Sequence, residues 1–149
     1  MLSNIAFNSA SKRHRPNLRV GQCIICHVIR ADPSLEIELS CEDPTSQKDW
    51  VTNEVYFGPL PDGGLLFDLP FSESMRLASN GSQIFDIVGQ YLKPFETCVG
   101  VNGRVFIRAG DGNHLRASLI ANIITKATSL KQAELEEICQ DAERRLTQQ

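Results

Sequence analysis

Three groups of residues in this sequence have types and spacings that suit chemistry. The first is Lys12-Arg13-His14-Arg15, ended by Pro16, within the polar segment Asn8 to Asn17 and with Arg19 close behind. Small polar residues and proline make that segment a loop, and cationic groups on a loop suit phosphate oxygens. The same residues also suit a plain solvated loop, and charge alone does not choose between the two. The second group is Cys23-Ile-Ile-Cys26 with His27 next to it, which has the C-x-x-C spacing of a zinc site. Residues three apart in a strand point to opposite faces, and no second C-x-x-C supplies the remaining ligands, so packed thiols are the preferred reading. The third is Glu36 and Glu38, two carboxylates on one strand face. Their regular alternation with Leu35, Ile37, Leu39 and Cys41 reads as acids turned to water rather than an acid-base pair.

Catalysis finds little else to stand on. There is no G-x-S-x-G, no phosphate-binding P-loop and no cluster of His and acid at metal spacing. The three histidines, His14, His27 and His114, fall in a loop, a strand and a helix start. The expectation is therefore no catalytic residue, no metal, no cofactor and no small-molecule substrate.

Charge is unevenly placed. The net charge is −3, yet residues 1 to 30 carry Lys12, Arg13, Arg15, Arg19 and Arg30 with no acid, whereas residues 31 to 62 carry eight acids against Lys48. Any nucleic acid is thus expected at one end of the chain, bound weakly by the chain alone. The 149 residues, 42% hydrophobic, suffice for one ordinary domain or two small ones. No apolar run approaches the ~20 residues of a membrane helix, and no signal-peptide core opens the chain. Five cysteines, an odd number, fit reduced thiols. The expectation is a soluble protein of the cytosol or nucleus.

The elements follow from periodicity and punctuation. Leu2 to Phe7 suits a short strand or a packed lead-in; Gln22 to Arg30 reads as one strand; Leu35 to Cys41 alternates as a half-buried one; Val55 to Leu60 is another, closed by the turn at Pro61-Asp62-Gly63-Gly64. Trp50, in the loop between, either plugs a core edge or offers a stacking or partner surface. Short strands with turns between them suggest a five-stranded OB-like antiparallel barrel over residues 1–63. From Gly64 the pattern changes. A strand to Leu69 precedes helices from Ser72 to Ala78 and from Gln83 to Leu92, broken at Asn80-Gly81. Two strands follow, joined at Asn102-Gly103 by an expected type I′ turn, with Val105 and Ile107 on one face of the second and Arg104, Phe106 and Arg108 on the other. Asn113 is expected to cap one further helix, and Ser129 with Gln132 to form the capping box of another.

Strand, helix, helix, strand, strand, helix is the order of a KH domain, here over residues 64–149 with an extra C-terminal helix, in a chain of α+β class. A KH domain grips RNA with a GXXG loop between its first two helices, but that position reads Asn80-Gly81-Ser82-Gln83. The usual grip is therefore expected to be absent.

With Lys12-Arg13-His14-Arg15-Pro16 followed by Val20-Gly21, then Pro61-Asp62-Gly63-Gly64-Leu65-Leu66-Phe67, then Gly100-Val101-Asn102-Gly103-Arg104, the chain resembles the exosome component 3 family, cap subunits of the eukaryotic RNA exosome. It departs from that pattern at His14, Gln22, Tyr56 and Phe106. The family's usual N-terminal domain has no counterpart, and whether the chain is a fragment stays open at this point.

The resemblance implies a ribosomal-S-one-type OB barrel and a KH domain bearing G-x-N-G. It implies a non-catalytic subunit that sits on the exosome ring and helps guide RNA into its channel for 3′-to-5′ processing, in the nucleus, nucleolus included, and the cytoplasm. Its partners would be other ring subunits and single-stranded RNA read with little sequence preference. Lys12, Arg13, His14, Arg15 and Arg19 would meet RNA, while Gly100, Asn102 and Gly103 would form a structural turn. The alternative is a free-standing OB/KH RNA-binding regulator.

Overall fold

The computed structural model describes residues 1–46, 48–52 and 56–147. It divides into two compact units, Met1–Pro61 and Asp62–Gln149.

Among the described residues of the first unit five strands form: β1 (Leu2–Phe7), β2 (Ile24–Ile25), β3 (His27–Arg30), β4 (Glu38–Cys41) and β5 (Gly58–Pro59). They make a three-stranded sheet in the order β1-β4-β3 and a two-stranded ladder β2-β5. The run expected as a single strand breaks at Cys26. Below the break β2 pairs with β5, and above it β3 pairs with β4, both antiparallel. Changing partners in mid-run lets a short chain turn the corner of an OB-like barrel.

One pair departs from the antiparallel expectation. β1 runs parallel to β4, with Leu2 opposite Leu39 and Phe7 opposite Cys41. Parallel strands need a long crossover, and the stretch between Phe7 and Glu38 provides it. β4 is also shorter than the alternation predicts. Leu35 and Ile37 precede it and stay exposed, although the Ile37 carbonyl accepts from the Met1 amino group. Of the expected strand from Val55, that residue lies outside the described residues.

The second unit follows the expected order with one fusion. It runs β6 (Leu65–Asp68), α1 (Phe71–Leu92), β7 (Phe95–Val99), β8 (Arg104–Ala109), α2 (His114–Ala127) and α3 (Gln132–Thr147). The sheet is antiparallel in the order β6-β8-β7. Val105, Ile107 and Ala109 of β8 are buried in one core with Leu77, Val88 and Leu92 of α1, Ile120 and Ile124 of α2, and Leu135 and Cys139 of α3. Phe106, outside that cluster, lays its ring on Gly64, where a β-carbon would run into it.

Two helices were expected before the hairpin, but α1 is continuous through Asn80-Gly81. Its apolar positions explain this. Leu77, Ile84, Val88 and Leu92 fall on one stripe facing the core. Burying each is worth about 1.5–3 kcal/mol, against about 1 kcal/mol for a glycine inside a helix. Asn113 caps α2 as expected, accepting from the amides of Leu115 and Arg116. Ser129 does not cap α3. Its hydroxyl donates to the Lys126 carbonyl at the end of α2, and the Glu134 carboxylate accepts from the Lys131 amide instead.

The hairpin turn also differs in type. Gly103 has φ 91°, but Asn102 is not among the residues with positive φ, so the turn is not type I′. The Gly103 amide donates to the Gly100 carbonyl at 3.2 Å and the Gly100 amide to the Arg104 carbonyl at 2.8 Å. This is a turn centred on Val101-Asn102 that ends in a left-handed glycine bulge.

Candidate nucleic-acid interface

The basic segment of the first unit is two small turns joined at the buried Pro16. In the first, the Ser11 amide donates to the His14 carbonyl at 2.7 Å and the His14 amide returns the bond to Ser11 at 3.2 Å. In the second, the Gln22 amide donates to the Arg19 carbonyl at 3.1 Å, the Arg19 amide to Gln22 Oε1 at 3.3 Å, and Gly21 takes φ 91°. Lys12, Arg13, Arg15 and Arg19 project from these turns, all exposed.

Asn8 anchors the start of the segment. Its side-chain amide donates to the carbonyls of Asp43, Ser46 and Lys48 at 3.0 to 3.3 Å, and its Oδ1 accepts from the Asp43 amide at 2.6 Å. The Asn8 carbonyl accepts from the Trp50 amide at 3.3 Å. The polypeptide around Asp43 to Trp50 is thereby tied to the base of the basic loop. Trp50 supports it from the side: its ring lies 5.4 Å from that of His14, and His14 Nε2 is 3.7 Å from Asp49 Oδ2. His14 therefore differs from its neighbours in the motif, with its imidazole turned to Trp50 and Asp49.

Several other arginines are committed. Arg30 pairs with Glu38 at 3.1 Å. On β8, register sets Arg104 opposite Asp68 and Arg108 opposite Glu96, and ion pairs form at 3.6 and 3.3 Å. Arg116 bonds Asp111 at 3.3 Å, and its Nη2 reaches the Lys93 carbonyl. Among the described residues Lys12, Arg13, Arg15 and Arg19 have no such acid. Four exposed, unpaired cations on a braced loop have the charge and accessibility that suit phosphate oxygens.

Gly100, Asn102 and Gly103 belong to the second unit. The Asn102 Oδ1 accepts from the Arg104 amide at 3.2 Å, and the Leu69 amide donates to the Gly103 carbonyl at 2.7 Å, so the turn's polar groups serve the turn and the end of β6. The cysteine chemistry is equally quiet. Burial pushes the Cys41 thiol up to about 12, helped by Cys26 nearby, and the Cys139 thiol up to about 11; Cys26 and Cys98 are also raised by burial. Thiols held protonated are poor nucleophiles and poor ligands.

Asn8 and Asp49 were not singled out as parts of the site from sequence, and Trp50 was read as a core-edge plug or a stacking or partner surface rather than as a brace for His14. An asparagine beginning a basic loop carries two donors and an acceptor, which was the available signal.

Comparison with known proteins finds two domain matches. Residues 1–51 match the model of the S1 domain of exosome complex component RRP40, and residues 64–113 match a KH domain model. The chain is 30% identical over 145 residues to exosome complex component rrp40 of Schizosaccharomyces pombe, covering 97% of this chain and 57% of that one. It is 33% identical over 108 residues to exosome complex component RRP40 of Saccharomyces cerevisiae, covering 72% and 42%, and 32% identical over 108 residues to the human protein of that name, covering 72% and 37%. The chain thus covers between 37% and 57% of the length of these relatives. A crystal structure described as an exosome complex RNA-binding protein superposes with a TM-score of 0.66 over 98% of this chain and 80% of that one, at 17% identity, which is a likeness of fold. The chain therefore joins an S1-type, OB-like domain of the RRP40 kind to a KH domain.

Proposed function

We propose that the chain is a non-catalytic RNA-binding cap subunit of the RNA exosome, of the exosome component 3 type. It helps assemble the complex and guides single-stranded RNA toward the channel for 3′-to-5′ processing and degradation. Residues 1–63 act as the RNA-binding OB domain and residues 64–149 as a KH-like domain whose G-x-N-G turn is structural. Lys12, Arg13, Arg15 and Arg19 hold phosphates, and His14, against Trp50, keeps the loop in shape. Partners are RNA and neighbouring ring subunits, in the nucleus, nucleolus included, and the cytoplasm. The observation that carries this reading is the set of four unpaired cations on the Asn8-anchored loop, while the arginines of β8 are neutralised by acids across the sheet. The names of the relatives supply the assembly.

Replacing Lys12, Arg13 and Arg15 together by Ala tests it. Each phosphate contact on a single strand contributes about −0.7 to the slope of log affinity against log salt, so the triple variant flattens that slope and weakens all RNA sequences alike. An unchanged slope with reduced incorporation into the affinity-purified complex would move these residues from RNA to a neighbouring subunit. Absence of a stoichiometric assembly in native mass spectrometry would favour the free-standing regulator.

A further inference from the structure

The second turn of the basic segment is closed twice by one residue. Arg19-Val20-Gly21-Gln22 has positive φ at its third position alone, 91° at Gly21, which makes it a turn of the type II kind. The Gln22 amide donates to the Arg19 carbonyl at 3.1 Å, and Gln22 Oε1 accepts from the Arg19 amide at 3.3 Å. Both backbone polar groups of Arg19 are therefore spent on Gln22, and the direction in which the arginine side chain leaves the backbone is set by that residue. Arg19 and Val20 are exposed at the start of the turn, while Gln22 is half-buried at its end.

Only the oxygen of a carboxamide accepts from an N–H. The bond to Arg19 thus decides which end of the Gln22 amide faces the turn, and it leaves the two Nε2 donors over. They have no partner among the described residues and are not shut away from water. A carboxylate at this position would accept from the Arg19 amide equally well. It would offer no donor, however, and it would put a negative charge beside Arg19 in a stretch, residues 1 to 30, that carries no acid. The neutral amide holds its arginine without neutralising it, whereas Arg104 and Arg108 are held by the acids Asp68 and Glu96.

We infer that Gln22 both positions Arg19 and contacts the RNA backbone itself. Its Oε1 fixes the Arg19 backbone, and its Nε2 donates to a non-bridging oxygen of the phosphate that the Arg19 guanidinium holds. The inference rests on the reading of the basic loop as an RNA site and adds a neutral contact to its four cations. Such a contact positions a phosphate without reading a base.

The probe is a short fluorescent oligouridylate, titrated into the full chain at several salt concentrations. Gln22→Glu keeps the acceptor, removes the donors and adds one negative charge. Asn17→Asp, exposed on the same segment and without a hydrogen bond to a cationic residue, adds the same charge only. Gln22→Glu is expected to bind the probe about tenfold more weakly, the scale of one hydrogen bond to a charged group. Its salt slope is shallower by about 0.7, the worth of one phosphate contact, as Arg19 turns to the new carboxylate. Its urea midpoint stays that of the unaltered chain, because the turn keeps its acceptor. Asn17→Asp weakens binding about twofold, the scale of an exposed and screened charge. Equal losses in the two variants overturn the inference, since the effect is then the general field of one added charge. A lowered urea midpoint in Gln22→Glu overturns it too, since Oε1 is then not what closes the turn. The Lys12, Arg13 and Arg15 triple variant is measured beside them. If it leaves binding unchanged, the RNA reading of the loop fails and this inference with it; if it weakens binding while Gln22→Glu behaves as Asn17→Asp, the inference fails alone.

Discussion

The Leu69 amide donates to the Gly103 carbonyl at 2.7 Å, while the Leu69 carbonyl stands 2.8 Å from where a β-carbon on Gly103 would lie. The hairpin turn and the end of β6 are locked together at a spacing that admits only hydrogen on Gly103, which also holds φ 91°. Gly103→Ala meets both obstacles and is expected to lose about 2 kcal/mol of stability, within the range for a strained left-handed position. Denaturant titration reads the loss. RNA affinity measured well below the unfolding midpoint should hold, and a variant with full stability but weakened RNA binding would contradict the structural role.

Asn8→Ala removes four hydrogen bonds at a position only 8% exposed, leaving the carbonyls of Asp43, Ser46 and Lys48 without that partner. The expected cost is about 2 kcal/mol, the scale of stranded buried polar groups. Trp50, the single tryptophan, reports it directly, since its amide bonds the Asn8 carbonyl and its emission should shift as the loop loosens. RNA affinity should fall too, although no cation has been removed. Unchanged emission and midpoint would mean that Asn8 does not organise the loop.

Arg104→Ala and Arg108→Ala together should leave RNA affinity and its salt slope where they were. Each guanidinium already faces a carboxylate across the sheet, Asp68 at 3.6 Å and Glu96 at 3.3 Å. A slope flattened by this pair of substitutions would put RNA on the KH sheet.

Alkaline pH offers a check on the first unit's small core. Cys41 has its folded pKa raised from 9.0 to about 12, chiefly by burial, so above pH 9 the unfolded chain releases a proton that the folded chain keeps. The stability it contributes is complete below pH 9 and is lost progressively as pH climbs toward 12. Cys41→Ser should lower stability at neutral pH, where the buried thiol lies opposite Phe7 in the β1–β4 register, yet flatten this alkaline limb. Equal limbs in the two proteins, compared by denaturant midpoint from pH 8 upward, would sink the assignment.

The second unit was the more legible in sequence because its helices and strands bury one continuous stripe each. Val105 and Ile107 show the period of two, and Ile120 and Ile124 the helical spacing, so pattern and burial agree. The errors there came from local signals overruled by packing, as at Asn80-Gly81, or from a turn whose glycine needed the left-handed region while its asparagine did not. In the first unit local pattern was a poorer guide. Nothing around Cys26 announces that the chain exchanges β5 for β4 there, and the alternation of Leu35 and Ile37 promises a burial that this sheet does not supply. For the candidate site, the cations are plain in the sequence, but pairing is not. Which arginines are neutralised depends on β8 lying opposite Asp68 and Glu96, a long-range register that no local spacing encodes.

The strand order β6-β8-β7 has a bearing on how this chain comes off the ribosome. β6 and β7 are not paired with each other, and among the described residues each finds its strand partner in β8, the last of the three to be synthesised. Until Ala109 has emerged, α1 is an amphipathic helix with no sheet to lie on, and both outer strands wait with open edges. Nascent chains arrested before and after Arg104–Ala109 should therefore differ sharply in protease resistance, with the gain arriving in one step rather than strand by strand.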